Sequence, residues 1–282
     1  MIQVITDSSC DLSLERLIEI NVVCIPQTVS FGDDIYIDGE NISTEQFFEF
    51  LDARPEHPKT ALPSPYVIEN AFREVLDKGD DIICIFVGND LSGTAQAAML
   101  AAKSFTEEEQ ARIRFADSRG VSLAVGLLVE IAAQKAKEDG MTLDVIHKDM
   151  VDLAYKVRIF GALDTLTYLK RGGRLSGAAA LIGTMLNFCP IITAQDGLVI
   201  NIAKVKGRKK LYAKVAELTL AENVDPAYPI IFAEGSKNGF LDILKGYLKD
   251  KIDISNALTG KVGPIVGTFS GPNAVIIAYV RK

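Results

Sequence analysis

The first half of the chain repeats a pattern of a short, mainly apolar run, a polar tip and a helical stretch. "IQVI" runs into "TDSSCD", "DIICIFVG" into "NDLSGT" and "RIRFA" into "DSRG". Strands alternating with helices predict βα units around a mostly parallel sheet with helices on both faces. The carboxyl ends of such strands form the ligand crevice. Each tip carries Asp and Ser, so polar chemistry falls at that edge. Between the first two units, the alternation in "VVCIPQTVSFGDDIYIDG" around Gly32-Asp33 predicts a hairpin, part of an insertion spanning about 22–63. A short helix near Glu45 to Leu51 and a Pro-rich loop, "RPEHPKTALPSP", follow it.

Beyond a long helical region at 120–154 the pattern changes. "VRIFGALD", "CPIITAQDGLVINIAKV", "YPIIFAEG" and "VGPIVGTFSGPNAVIIAYV" read as strands with hairpin-like spacing, interleaved with helices around 166–170, 176–187, 208–222 and 239–250. This predicts an α+β domain with a largely antiparallel sheet. The boundary falls near residue 157, giving an N-terminal α/β domain at 1–157 and a C-terminal α+β domain at 158–282. No charge occurs from 175 to 195, a stretch of about bilayer length. Its Gly, Thr and Asn residues and Pro190 make a buried helix followed by a strand the better reading. Glycines and prolines at 263, 264, 267, 271 and 272 likewise cut residues 262–280 into strand-sized pieces rather than a membrane span.

Composition narrows the function classes. The 282 residues are 48% hydrophobic and 24% charged, enough for one large core or two smaller ones, and the formal net charge is −7. An acidic body repels nucleic acid and anionic membrane surfaces. The local basic patches "KRGGR" and "KVKGRKK" come without helix-turn-helix spacing, so no nucleic-acid role is expected. Cys10, Cys24, Cys84 and Cys189 are scattered without a C-x-x-C pair and read as reduced residues of a cytoplasmic protein. The start "MIQVITDSS" reads as a first strand rather than a secretory signal.

The chemistry-bearing candidates cluster at "NDLSGTAQAA", residues 89–98, where a helix opens at a strand's carboxyl end. Such a junction presents unpaired N–H donors and the positive end of the helix dipole, a setting for an anion. Ser92 is equally a simple helix cap. A serine hydrolase needs a base, and only His57 and His147 exist; His147, in "DVIHKDM", reads as surface, and Ser92 is in no G-x-S-x-G elbow. The chain lacks the phosphate loop of an ATP-using enzyme and shows no ligand cluster for metal. Asp7, Asp90 and Asp117 at the strand tips are expected to accept backbone N–H bonds and fix the loops.

Eight separated segments, in one order and nearly end to end, together resemble the DegV family of bacterial fatty-acid-binding proteins. They are "TDSSCDL", "KTALPSP", "LSGTAQAA", "ADSRGVSLAVGLLV", "TLTYLKRGGRLSG", "IGTMLNFCPIITAQDG", "KVKGRKK" and "SGPNAVIIAY". The resemblance implies a two-domain, non-catalytic protein that buries a long-chain fatty acid such as palmitate, stearate or oleate between its domains, without cofactor or metal. It also implies a partner: the ATP-binding subunit of a fatty acid kinase, which phosphorylates the carboxylate while the acid sits in its carrier. By the same resemblance the Thr60 and Ser92 hydroxyls hold the carboxylate, with Gly93 and Thr94 beside them. Lys206, Phe269 and Ser270 fall near the head group, and Ile182, Leu186 and Phe188 are tail-lining candidates. Arg171 and Arg174 are candidates for kinase docking.

A fatty acid fits this economy of parts physically. Burying about 14 methylenes at ~0.8 kcal/mol each contributes on the order of 11 kcal/mol before association costs, so the tail sets affinity and the head sets position. Three family features are absent. Where many members carry His-Thr-Gly-Pro-Gly, this chain has Phe269-Ser270-Gly271-Pro272-Asn273; Lys206 stands where an Arg is common and Ala61 where a Ser is. A sensor of some other carboxylate-bearing lipid needs the same pocket and remains the alternative reading, with a serine hydrolase behind it.

Overall fold

The computed structural model describes residues 1–176, 188–195, 197–236 and 239–282. The helix expected at 176–187, with Ile182 and Leu186, lies beyond Ser176 outside the described residues.

Strand β1 (Ile2–Asp7) leads through a short 3-10 turn and α1 (Leu14–Glu19) into β2 (Val22–Ile25), which pairs with it in parallel. Residues 22–25 therefore belong to the main sheet and not to the hairpin, which begins after them. The hairpin is β3 (Thr28–Phe31) and β4 (Asp34–Ile37), turning at Gly32 with φ +59°, a conformation glycine adopts without steric cost. After α2 (Thr44–Ala53), β5 (Lys59–Ala61) adds to the other edge of β3 and completes a small antiparallel sheet, β4-β3-β5.

The chain then returns to the parallel sheet through α3 (Pro65–Leu76), β6 (Asp81–Phe86), α4 (Thr94–Ala102), α5 (Glu107–Gln110) and β7 (Ile113–Asp117), giving the order β2-β1-β6-β7. Successive side chains of β6 point to opposite faces, and both are covered. Ile82, Cys84 and Phe86 pack under α3 and α4 with Phe72 and Ala98. Ile83 and Ile85 pack under α6 (Leu123–Lys135) and α7 (Leu143–Ala154). The helical region at 120–154 consists of two helices. His147 is not a surface residue: its Nε2 lies 3.0 Å from the Phe115 carbonyl, tying α7 to β7.

A second sheet of six strands follows: β8 (Val157–Ala162), β9 (Cys189–Gln195), β10 (Leu198–Val205), β11 (Ile231–Glu234), β12 (Leu258–Lys261) and β13 (Val275–Val280). Its order is β10-β9-β8-β13-β11-β12, antiparallel except for the β11–β12 pair. One face is covered by α9 (Arg208–Ala221) and α10 (Phe240–Leu248) through Leu211, Val215, Leu244 and Leu248. The opposite face carries Ile159, Ile276 and Ala278, which share a core with Leu127 and Leu128 of α6. Helix α6 is buried on every side because it lies between the two sheets.

Two further differences from the sequence expectation lie in the second half. β12 has no counterpart in the pattern analysis. Residues 262–280 are not strands throughout: Pro264–Ser270 form a helix, α11, before β13. Pro264 at the first helical position has the backbone angle a helix needs, and Gly263 precedes it as cap. A short, wholly buried apolar run looks alike as strand or helix, so its periodicity carried no information. The short helix α8 (Thr167–Arg171) lies alongside α11. Helix α11 also packs on the small sheet, where Ile265 meets the cluster of Val29, Phe31, Phe47 and Phe48.

Candidate functional site

The two sheets do not close completely. A cavity of about 100 Å³ remains between them, walled mainly by aliphatic side chains. Its floor is the six-stranded sheet. Ile276 of β13, Gly161 of β8 and Ile192 of β9 stand side by side in register, and all three line the space. Ile159 and Leu163, two residues before and after Gly161, share its face. The opposite wall comes from the carboxyl edge of the parallel sheet, with Val87, Leu91 and Val121. Ile265, Val266 and Phe269 of α11 close one side.

Most polar groups on this surface are already committed to the protein. The Thr193 hydroxyl donates to the Ile159 carbonyl at 2.7 Å. Gln27 Nε2 donates to Asp7 at 2.8 Å, the Ser9 hydroxyl also donates to Asp7, and the Ser122 hydroxyl donates to Asp11. Ser122 holds φ +58° to do so, a strained backbone for a residue with a side chain. Ser92 differs. Its hydroxyl faces only the Thr94 hydroxyl at 2.9 Å and the Thr94 N–H at 3.3 Å. Thr60 reaches the same cavity from β5. The two loops touch: a Cβ on Gly93 would lie 3.4 Å from Leu62 Cδ2. The helix cap is Gly93 rather than Ser92. The Ser92 hydroxyl nonetheless accepts the first helical N–H, from Thr94, while lining the cavity.

Behind the polar wall sit three buried acids. Asp7 takes bonds from the Ser9 N–H at 2.9 Å and the Val87 N–H at 3.2 Å, and Asp11 takes one from the Gly263 N–H at 2.8 Å. Burial pushes Asp11 up to about 8 and Asp38 up to about 7, and it raises Asp7. Asp117 accepts from the N–H groups of Asn89 and Arg119 at 3.3 and 3.0 Å, so Asp7 and Asp117 do fix the strand-tip loops as the sequence suggests.

The structure brings together Thr60, Ser92, Phe269 and Ser270, all on the cavity wall, with Gly93 and the buried Thr94 immediately behind Ser92. Arg174, expected as a docking residue, also lines the cavity and is the only ionisable side chain among the described residues that does. Arg171 is exposed and does not line it. Two expectations are corrected. Lys206 is exposed in the turn between β10 and α9 and does not line the cavity; Arg208 of the same segment, also exposed, is bonded to Asp164 at 3.1 and 2.6 Å. Phe188 is 39% exposed just ahead of β9 and is not a wall residue.

Among the described residues no base stands beside Ser92. His57 is not on the cavity wall; both its ring nitrogens are occluded without a hydrogen-bond partner, and burial together with Arg171 lowers its pKa. No group of three or more potential metal ligands occurs among the described residues. No described helix is long and apolar enough to cross a membrane.

Fold and site together define a binding protein with an aliphatic cavity between its sheets and the Thr60 and Ser92 hydroxyls and one guanidinium on its wall. The chain belongs to the DegV family, whose model, described as "Uncharacterised protein, DegV family", matches residues 1–282. A DegV domain-containing protein from Clostridium acetobutylicum is 30% identical over 284 residues, covering 100% of this chain and 98% of the relative. Among solved structures, a DegV family protein from Thermus thermophilus described for its fatty acid binding is 27% identical with a TM-score of 0.89, covering 99% of each chain. A stearic acid-binding protein from Eubacterium ventriosum is 26% identical, with a TM-score of 0.86 over 100% of this chain and 99% of that one. DegV from Bacillus subtilis, described as a fatty acid binding protein, is 26% identical with a TM-score of 0.85 and the same coverage.

Proposed function

We propose that this protein holds one long-chain fatty acid, with the tail in the aliphatic cavity and the carboxylate against the Thr60 and Ser92 hydroxyls, and presents it to a separate ATP-dependent kinase in the cytoplasm for conversion to an acyl phosphate. The observation that carries the reading is the pairing of an aliphatic cavity with the Thr60 and Ser92 hydroxyls on its wall, brought there by two segments in mutual contact. The fatty-acid-binding relatives support it, because they match nearly the whole chain at TM-scores of 0.85 and above. The absence of a base beside Ser92 among the described residues favours holding over hydrolysis. The kinase step rests on the carboxylate's place at the cavity edge rather than in its depth.

Denaturing mass spectrometry of the purified protein tests the ligand: saturated or unsaturated acids with long chains are expected to copurify, and a protein that neither carries nor takes up such an acid refutes the proposal. Thr60→Ala and Ser92→Ala each remove one hydrogen bond to a charged carboxylate, worth about 1.5–3 kcal/mol, so each is expected to weaken retention at least roughly ten-fold. Unaltered retention in the double variant would place the carboxylate elsewhere. Incubation of the loaded protein with the kinase and ATP, read as acyl phosphate, tests the coupling separately.

A further inference from the structure

We infer that Phe269 is a positioning residue whose ring face holds the Arg174 guanidinium across the cavity mouth, so that the one charged side chain on the wall meets the ligand's carboxylate. This rests on the fatty-acid reading above. The Arg174 Cζ lies 5.4 Å from the Phe269 ring centroid, over its face. Arg174 Nη1 donates to the Gly172 carbonyl at 2.8 Å and Nε approaches the Leu91 carbonyl at 3.4 Å. Leu91 is the neighbour of Ser92, so the guanidinium stands beside the hydroxyl pair. Those contacts use two of its five N–H donors.

Arg174 also stands at a boundary. It lines both the aliphatic cavity and an adjoining polar hollow of about 390 Å³ that it shares with Asn89, Asp90 and Ser176. Leu91 and Ser92 are common to both walls. A cation at that boundary faces the end of the ligand that must stay polar.

The ring is itself held from three directions. It sits near the end of α11, whose first turn is tied to Asp11 through the Gly263 N–H. Gly271 ends the helix at φ +78° beneath the Tyr168 ring. A Cβ on Gly172 would overlap the Phe269 ring, so glycine at 172 is what admits it. An aromatic face attracts a guanidinium through its quadrupole, which an aliphatic side chain of similar bulk lacks. The ring thus takes hold of the cation, while the two carbonyls fix its rotation.

The test compares the affinities of the full chain for stearate and for methyl stearate at pH 8, where the acid is ionised. The wild type is expected to prefer the acid, and Arg174→Gln to lose most of that preference. Phe269→Leu should reduce it about ten-fold, with Phe269→Tyr restoring it. In the Phe269→Leu, Arg174→Gln double variant the ratio should fall no further than in Arg174→Gln alone. A ring that only fills space would weaken both ligands equally in Phe269→Leu and leave the ratio unchanged, which would overturn the inference. A wild-type protein that binds neither ligand would instead overturn the fatty-acid reading itself.

Discussion

Gly161 is where the cavity floor is most sensitive to added atoms. It lies in the middle of the row Ile276–Gly161–Ile192, and a Cβ there would come within 2.9 Å of Ile192 Cγ1 and 3.2 Å of Cδ1. Both are outer atoms of a flexible side chain that also lines the cavity, so the strain is relieved by filling the space from one residue or the other. Gly161→Val adds three carbon atoms to the floor and displaces about three ligand methylenes. At ~0.8 kcal/mol each this costs about 2.4 kcal/mol, or roughly 50-fold in affinity for a chain that uses the whole cavity. Gly161→Ala adds one carbon and should cost roughly four-fold by the same scale. Titration calorimetry with stearate and with an acid three carbons shorter separates occlusion from general damage: the loss should be large for the longer chain and small for the shorter. Melting of the ligand-free variants controls for overpacking, which costs about 1–3 kcal/mol in a tight core. Equal losses for the two chain lengths, or none, would show that the tail does not cross Gly161.

Three further outcomes are expected. Asp11 has a folded-state pKa of about 8 against an unfolded value near 4, so the folded state retains a proton that the unfolded state gives up, and stability should fall as pH rises from about 4 to about 8. Asp38 and Asp7, the acids facing it, are shifted the same way, so Asp11→Asn should flatten the slope of melting temperature against pH without abolishing it; a slope unchanged in Asp11→Asn would refute the assignment. Glu130 is fully buried and is bonded by Arg16 and by Gln134 at 2.8 Å, so Arg16→Met should destabilise by about 3–5 kcal/mol in urea unfolding, and adding Glu130→Gln should recover part of that loss. Gly172→Ala, which drives a methyl into the Phe269 ring, should lower acid retention with little effect on the β8–β13 core, checked by comparing retention with the ligand-free melt.

The parallel half was legible because each of its signals is local. Apolar runs, Asp-Ser tips and the Gly32-Asp33 turn occur within a few residues of the elements they specify, and Thr60 and Ser92 were reached through motifs that keep their own order. The cavity floor was not legible in that way. Gly161, Ile192 and Ile276 become one surface only after three strands have paired, and nothing in the segment around any one of them marks it as a wall rather than core. A partial signal existed: Ile159, Gly161 and Leu163 alternate on one strand face with a glycine where a large residue would ordinarily pack. The place of Arg174 on the cavity wall was not legible for a related reason: glycines around an arginine suggest an exposed turn, which it is, and only the Phe269 ring, distant in sequence, shows that the same side chain also borders the cavity.

The ligand site draws on all three sheets: Thr60 on the small sheet, Ser92 at the edge of the parallel sheet, and the floor on the six-stranded sheet. This division explains how a modest head-group grip can be enough. Two hydroxyl–carboxylate bonds of about 1.5–3 kcal/mol each are smaller than a tail worth on the order of 11 kcal/mol before association costs. They nevertheless belong to different units, so both are made only when those units are correctly apposed. The apposition has its own supports, in Ile265 packed among Phe47 and Phe48 and in the Lys261–Glu45 pair joining β12 to α2. Under the proposed function, ligand affinity and domain apposition are coupled, since whatever loosens the small sheet would remove Thr60 from the carboxylate while leaving the tail's aliphatic floor in place. The proposed carrier must retain its cargo yet expose the carboxylate for reaction, and that separation would let the head be freed without giving up the tail.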